Sequence, residues 1–268
     1  MLHHIILKKL WEKYTEVSPS ANKIHSLLES RGDQIENDHI AFRTFDHPKV
    51  NIEKMANIFT QCGYIEKGEY HFETKKLYAK HYEHSSDTKA PKIFISELKT
   101  RAFSPSLQAT INKCISEIPE EILNPENMIF SGRTWDNISY KTYHELRAES
   151  EYAAWLYVYG FRANHFTVFV NKLNSISSLE EMNLFLKEND FPMNTSGGEI
   201  KGTPTALLEQ SSILADQYKV VFTDGVFEIP SCYYEFARRY KDQNNVLYEG
   251  FIAKSADKIF ESTDLVSR

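Results

Sequence analysis

The same order of predicted elements, a strand, a helix and three more strands, occurs twice in the sequence. The first copy covers about residues 36–100 and the second about 161–240. Runs rich in β-branched and aromatic residues predict the strands, and apolar residues at helical spacing predict the helix. This repeat constrains the fold more than any other feature, because two copies of one module can place equivalent residues around a shared cleft. In the first copy, strands are predicted at 38–45, 64–72, 76–83 and 92–98, with the helix ending near Gly63.

The second copy repeats this order with one additional strand. A strand is predicted at 164–170, and Ser178 begins a helix through a capping box with Glu181. The later strands are predicted near 199–202, 206–213, 218–223 and 226–236.

The rest of the chain is predicted to surround these two modules. An amphipathic helix carries Leu7, Leu10, Trp11 and Tyr14 before the first module, and 101–160 is a helical insertion with helices at 105–118 and 140–157. Residues 241–268 form a C-terminal tail. We therefore expect a single α+β domain over 1–268, in which two βαβββ modules with mixed, curved sheets form a central metal-binding cleft.

Composition excludes several classes of function. The chain has 31 Lys and Arg against 37 Asp and Glu, a formal net charge of −6 and no basic stripe, so we expect no nucleic-acid partner. No apolar run reaches the ~20 residues that span a bilayer, and lysines interrupt the short apolar run near the N-terminus, so we expect neither a membrane anchor nor a signal peptide. Three widely separated cysteines indicate a reducing compartment, and we expect a cytoplasmic location.

Two histidines occupy matched positions in the modules. His39 is at the head of the first strand of one copy and His165 at the head of the first strand of the other. Alternation places Ala41 and Arg43 on the same face as His39, which suits a cleft that binds a metal and an anion better than an apolar core. Taken singly, each histidine also fits a hydrogen-bonded structural role, and Arg43 fits a surface position. Asn164 is placed to orient His165.

If the metal carries out oxygen chemistry, the third ligand is expected to be a carboxylate, because two histidines and one carboxylate leave coordination positions open for substrate and O₂. Glu235 stands among bulky apolar residues, where a buried carboxylate is costly unless it is paired or bound to a metal. A salt bridge with Arg238 or Arg239 explains it equally well. The other candidate carboxylates are Glu97, Glu199, Glu209 and Glu228.

The remaining histidines are interpreted as surface residues. His3 and His4 are expected at a frayed N-terminus, and His71, His81 and His84 on an exposed hairpin. Lys201, in a glycine-rich turn that lacks the phosphate-loop order, is interpreted as an anion contact or a solvated lysine.

Five segments, taken together and in order, resemble the 2-oxoadipate dioxygenase/decarboxylase family, long catalogued as a domain of unknown function and related to the vicinal oxygen chelate superfamily. The resemblance runs from about residue 20 to 255. The segments are Asn37–Thr44, Asn164–Thr167, Ile200–Gly202, Leu208–Ser212 and Tyr234–Arg239.

The resemblance implies a specific site. The family binds a non-haem Fe(II) through two histidines and a glutamate, which by motif position are His39, His165 and Glu235 here. It further implies that Arg43 binds a substrate carboxylate as a catalytic group, with Lys201 and Gln210 as further substrate contacts. The implied partners are a 2-oxo acid and O₂, and the implied reaction converts 2-oxoadipate to 2-hydroxyglutarate with loss of CO₂.

Two other functions stay open at this point. A metal-dependent isomerase or lyase of glyoxalase type would use the same fold with a fourth protein ligand, for which Glu97 is the natural position. A non-catalytic binding protein would keep the cleft and lose the metal.

Overall fold

Both predicted modules form, and their strands join in one curved, half-barrel sheet of eight strands. The computed structural model describes residues 2–253 and residue 263. The order across the sheet is β2-β3-β4-β1-β5-β10-β7-β6, and β8 pairs with β9 in a separate hairpin. The strands are β1 (Asn37–Phe45), β2 (Tyr64–Phe72), β3 (Leu77–His84), β4 (Lys92–Leu98), β5 (Ala163–Phe169), β6 (Lys201–Thr203), β7 (Leu208–Ser212), β8 (Gln217–Phe222), β9 (Gly225–Pro230) and β10 (Tyr233–Arg239).

The sheet is mixed, and its two halves repeat one pairing scheme. In the first module the last strand, β4, runs parallel to β1, and in the second the last strand, β10, runs parallel to β5. The two opening strands are antiparallel neighbours at the centre of the sheet, where His39 lies opposite Thr167 and Ala41 opposite His165. The predicted pair of equivalent histidines therefore meets at the junction of the two modules.

Eight α-helices occur in the described part of the chain, and most of them cover the sheet. Their bounds are α1 (Leu2–Thr15), α2 (Pro19–Ser30), α3 (Ile52–Gln61), α4 (Pro105–Ser116), α5 (Pro125–Met128), α6 (Tyr140–Glu149), α7 (Glu151–Tyr159) and α8 (Leu179–Glu188). On the outer face of the sheet, Trp11 of α1 packs edge-on against Phe166 with ring centroids 5.1 Å apart. None of the helices within residues 2–253 is both long and apolar enough to cross a bilayer.

The helix predicted at 140–157 is two helices. Ser150 ends α6 in an extended conformation, and its side-chain oxygen accepts a hydrogen bond from the backbone of Ala153 at 3.2 Å, which caps α7. A serine that caps a new helix competes with continuation of the old one. The capping serine therefore separates two helices that share one apolar pattern.

The strand predicted at 226–236 was also wrong, since it is two strands in different sheets. The break falls at Ser231, whose backbone N–H donates to the carbonyl of Asp216 at 2.8 Å and whose hydroxyl donates to the carbonyl of Val17. These bonds end β9 and let β10 return to the main sheet beside β5. The hairpin of β8 and β9 is the additional element of the second module.

Two histidines predicted at the surface are buried. His81 is 3 % exposed, with one ring nitrogen 2.9 Å from the hydroxyl of Tyr70 and the other 3.1 Å from Glu83. His3 is 8 % exposed, because α1 packs its first turn against the loop between β3 and β4. His4 and His71 are exposed as predicted, and His84 is half-buried.

Candidate metal centre on the inner face of the sheet

Three of the predicted site residues come together on adjacent central strands. Nε2 of His39 on β1 lies 3.6 Å from Oε1 of Glu235 on β10, and Nε2 of His165 on β5 lies 3.2 Å from Oε2. The three ligand atoms are all within 4.8 Å of one another. None of the three residues is more than 4 % exposed. Residues from both modules thus point donor atoms at one place in the protein interior.

The chemistry of these donors fits a divalent metal. Oε2 of Glu235 is buried and makes no hydrogen bond with the described residues, and burial raises the pKa of this carboxyl to about 8. Burial also lowers the pKa of both histidines, with the charges of His39 and Arg43 adding to the effect at His165. Neutral imidazoles offer lone pairs, and an uncompensated buried carboxylate favours a cation beside it. Two histidines and one carboxylate are the donor set of many non-haem Fe(II) sites.

Each of the three side chains is oriented by a second buried residue. Oδ2 of Asp38 lies 2.8 Å from Nδ1 of His39, and Oδ1 of Asn164 lies 3.0 Å from Nδ1 of His165. Hydrogen bonds at Nδ1 fix the rings so that Nε2 faces the centre.

The carboxylate is oriented by a residue of the neighbouring strand. Nε2 of Gln210 on β7 donates to Oε1 of Glu235 at 2.6 Å. Gln210, which the resemblance implies as a substrate contact, therefore lies against the carboxylate in this structure.

Asp38 is itself held by a buried arginine. Nε and Nη2 of Arg239 donate to the two carboxylate oxygens of Asp38 at 2.6 and 2.9 Å, while Nη1 donates to the carbonyls of Tyr248 and Gly250. Burial alone would raise the pKa of Asp38, but the Arg239 charge and the hydrogen bonds from His39 and Arg239 hold it well below its usual range. Arg239 therefore pairs with Asp38, and the alternative in which it neutralises Glu235 does not occur.

Replacing Arg239 by alanine is expected to lower the free energy of unfolding by about 3–5 kcal/mol, because Asp38 is left as a buried, unpaired charge. Urea unfolding followed by circular dichroism measures this difference. Arg238→Ala is the matched control, since Arg238 is half-buried and stacks on the ring of Tyr240 at 5.2 Å, so we expect a loss of at most about 1 kcal/mol. Equal losses in the two variants would show that the Asp38 pair does not stabilise the fold.

Arg43 lies on the same strand as His39, and its side chain is 1 % exposed. Nη1 donates to Oε1 of Glu151 at 3.0 Å and Nη2 donates to Thr263 at 3.2 Å. The guanidinium stacks on the rings of Tyr152 and Trp155 at 4.9 and 5.1 Å. The first turn of α7 thus orients a buried cation whose charge reaches His165.

Lys201 is buried rather than solvated, at 4 % exposed. Its ammonium donates to the carbonyls of Asn194 and Glu199 at 2.6 and 3.3 Å, and its charge lowers the pKa of Glu235 against the larger effect of burial. The strand needs glycine at the next position, since Gly202 has a φ of +89° and a Cβ there would lie 2.1 Å from the carbonyl oxygen of Leu208. Lys201 therefore supports the loop beside the centre.

Two aromatic residues that the sequence reasoning missed form the walls of the centre. Tyr233 stacks on His165 with ring centroids 4.6 Å apart, and its buried hydroxyl makes no hydrogen bond with the described residues. Phe251 packs edge-on against His39 at 4.9 Å. Strand alternation from Glu235 puts Tyr233 on the inner face, so its position was available from the sequence, whereas Phe251 follows the last strand and carried no such signal.

Glu97, the residue named for a fourth ligand, is not at the strand position equivalent to Glu235. Glu235 lies opposite Thr167, two residues after the histidine of its module, and the equivalent position opposite Ala41 is Phe94. Glu97 instead accepts a hydrogen bond from the backbone of Ile52 at 3.0 Å, at the start of α3.

The other candidate carboxylates have different partners. Glu209 accepts a hydrogen bond from the hydroxyl of Tyr240, Glu199 pairs with Lys187, and Glu228 lies 3.9 Å from Lys219. In the described chain, the group of ligand atoms on the inner face of the sheet contains Glu235 as its carboxylate.

Two βαβββ modules joined in a curved half-barrel, with two imidazoles and a carboxylate at the junction, define a fold of the vicinal oxygen chelate type. This fold is shared with a glyoxalase superfamily protein from Ralstonia eutropha (17 % identity, TM-score 0.75, 90 % of this chain and 83 % of that one). A profile of the 2-oxoadipate dioxygenase/decarboxylase family matches residues 6–245, and the chain belongs to this family.

Relatives of known sequence and structure agree with this assignment. The 2-oxoadipate dioxygenase/decarboxylase of rice, named as chloroplastic/amyloplastic, is 37 % identical over 96 % of this chain and 78 % of its own length. The crystal structure of rice hydroxyglutarate synthase in complex with 2-oxoadipate superimposes with a TM-score of 0.91 (34 % identity, 98 % of this chain and 92 % of that one). A protein from Shewanella frigidimarina whose crystal structure is named as that of a hydrolase is 51 % identical with a TM-score of 0.88, over 93 % of this chain and 97 % of that one, so its fold agrees with the assignment although its name differs. The resemblance and the fold class expected from the sequence are confirmed.

Proposed function

We propose that this protein is an Fe(II)-dependent enzyme that decarboxylates a 2-oxo acid with consumption of O₂, and that 2-oxoadipate is its substrate. One observation carries the proposal: the imidazoles of His39 and His165 and the carboxylate of Glu235 meet in the protein interior. The charge of the buried Arg43, which lies on the same strand as His39, reaches this place. Two homologues named 2-oxoadipate dioxygenase/decarboxylase, and the complex of one relative with 2-oxoadipate, support the proposed reaction and substrate.

His39, His165 and Glu235 would hold the metal. When bound, Fe(II) would supply the redox chemistry that lets O₂ react with an oxo acid chelated beside it. The side chains behind the ligands, Asp38 and Asn164, keep the two imidazoles aimed at the centre, so that little reorganisation is needed when metal and substrate enter.

Arg43 would bind a substrate carboxylate. A guanidinium presents five N–H donors in a fixed plane, so it can contact a carboxylate in a bidentate manner while another edge stays on Glu151. Stacking on Tyr152 and Trp155 restrains the plane of the group. Arg43 would therefore orient the substrate by binding one of its two carboxylates, either C1 or the distal one.

Tyr233 would donate a hydrogen bond to the substrate. Burial raises the pKa of its hydroxyl well above the usual value, so this group stays protonated and acts as a donor. Phe251 and Phe94 pack together at 4.9 Å and close the opposite wall, which keeps bulk water away from the reacting carbons.

The overall reaction balances without a separate cosubstrate. 2-Oxoadipate and O₂ together contain the atoms of 2-hydroxyglutarate and CO₂, with one oxygen atom retained in the hydroxyl group and the other in the new carboxylate. The electrons for reduction of O₂ come from the oxo acid itself.

The test is anaerobic loading with Fe(II), addition of 2-oxoadipate and admission of air. We expect O₂ uptake and CO₂ release in equal amounts, with 2-hydroxyglutarate as product. A panel of shorter and branched 2-oxo acids identifies the substrate by its kcat/KM. Turnover of the oxo acid that proceeds unchanged without oxygen would contradict the proposal and favour an isomerase or lyase.

A further inference from the structure

A second group of metal-ligating side chains lies on the outer surface, where the first helix meets the first module. Nε2 of His3 on α1 lies 2.9 Å from Oδ2 of Asp87 in the loop between β3 and β4, and Nε2 of His4 lies 3.5 Å from the same oxygen. All three ligand atoms fall within 4.8 Å of one another. This group shares no residue with the centre on the inner face.

The separations suit a first-row divalent metal. Zinc binds imidazole nitrogen and carboxylate oxygen at about 2.0–2.2 Å, so neighbouring ligands of a tetrahedral site stand roughly 3.3 Å apart. The two distances to Asp87 lie on either side of that value. The third separation, between the two imidazole nitrogens, is no more than 4.8 Å.

The acidic ligand is held in place by its own loop. Oδ1 of Asp87 accepts the backbone N–H of Lys89 at 3.0 Å, which leaves Oδ2 facing the histidines. Nδ1 of His84 accepts backbone N–H groups of Ser86 and Asp87, and its ring packs against His3 with centroids 4.3 Å apart. His84 therefore fixes the conformation of the loop and the position of the His3 ring. The carboxylate of Asp87 is thus already ordered without a metal.

Exposure allows a metal to enter and retain water. The side chain of His3 is 9 % exposed, whereas His4 and Asp87 are 66 % and 26 % exposed. One buried and two accessible ligands leave the remaining coordination positions to solvent. A hydrogen-bonded His–Asp pair alone would account for His3 but not for the second imidazole directed at the same oxygen.

We propose that His3, His4 and Asp87 form a surface site for a divalent transition metal of the Zn²⁺ type. A bound ion would link the first helix to a loop 84 residues away along the chain, and so would fasten that helix to the first module. This inference does not depend on the reaction proposed above.

The test is the number of zinc ions bound per chain by the untagged, full-length protein, measured by equilibrium dialysis at a free zinc concentration set by a chelator. We expect Asp87→Asn and His4→Gln each to bind one equivalent less than the parent protein. His71→Gln removes an exposed histidine outside the group and is expected to bind as many as the parent. Circular dichroism establishes that the variants are folded, and exposed His4 is the substitution least able to disturb packing.

Repeating the comparison in His165→Ala protein, in which the inner centre lacks a ligand, separates the two sites. We expect Asp87→Asn to remove one equivalent of zinc in this background too. We also expect zinc to raise the thermal midpoint of the His165→Ala protein but not that of His165→Ala combined with Asp87→Asn. Equal zinc stoichiometry in the parent protein and in Asp87→Asn would overturn the proposal, whatever the activity of the enzyme.

Discussion

Glu235→Gln is expected to abolish O₂ consumption with 2-oxoadipate and to leave the protein unable to retain Fe(II). The amide preserves the shape of the side chain and its packing, but it removes the anionic donor that the metal needs beside two neutral imidazoles. Glu235→Ala is expected to have the same effect with an added cavity. Iron content after gel filtration, measured together with O₂ uptake, checks both parts of the result.

The matched control is Glu228→Gln, which removes an exposed carboxylate from β9 and is expected to keep both iron and activity. Thermal unfolding should show that Glu235→Gln is folded, since the glutamine replaces a buried carboxyl whose ionisation burial already opposes. Full turnover by Glu235→Gln would remove this residue from the ligand set.

Arg43→Ala is expected to lower kcat/KM for the oxo acid roughly 30- to 4000-fold. This factor corresponds to a loss of about 2–5 kcal/mol of transition-state stabilisation. The reason is the loss of a buried cation that Glu151, at the start of α7, holds in a fixed orientation. Iron content is expected to stay at the level of the parent protein, because Arg43 is not among the grouped ligand atoms. The measurement is steady-state kinetics on iron-loaded protein.

Arg31→Ala provides the control for a lost positive charge, as it removes an exposed arginine that caps the C-terminus of α2. We expect its kcat/KM to be unchanged. If Arg43→Ala bound the oxo acid as tightly as the parent while losing iron, Arg43 would be a structural support of the centre and not a substrate ligand.

The sequence was sufficient for the elements whose pattern is local. Alternating and β-branched runs located β1, β2, β3 and β4 to within about two residues, and the serine at the start of α8 caps that helix as predicted. The repeat then supplied long-range information that no single segment contains, because matched positions in two modules become neighbours when the opening strands pair.

Features that depend on tertiary contacts were not predictable in the same way. Ser231 ends a strand through bonds to carbonyls that are distant in sequence. The cap by Ser150 is local, but a serine inside a continuous apolar pattern does not by itself distinguish a helix cap from a helix interior. The choice among five carboxylates depended on which strand returns beside β5, a pairing that residue types alone do not specify. α2 was missed although Ala21, Ile24 and Leu28 line its buried face.

The partition of the inner ligands between the modules has a consequence for how the protein matures. One imidazole is contributed by the N-terminal half, while the other imidazole and the carboxylate are contributed by the C-terminal half. Neither half alone contains the complete donor set, so the proposed high-affinity metal binding would require the seam between β1 and β5 to have closed. An ion that binds only this closed form would stabilise it by mass action. The metal content of a preparation would then report the fraction of molecules in which the two modules have paired.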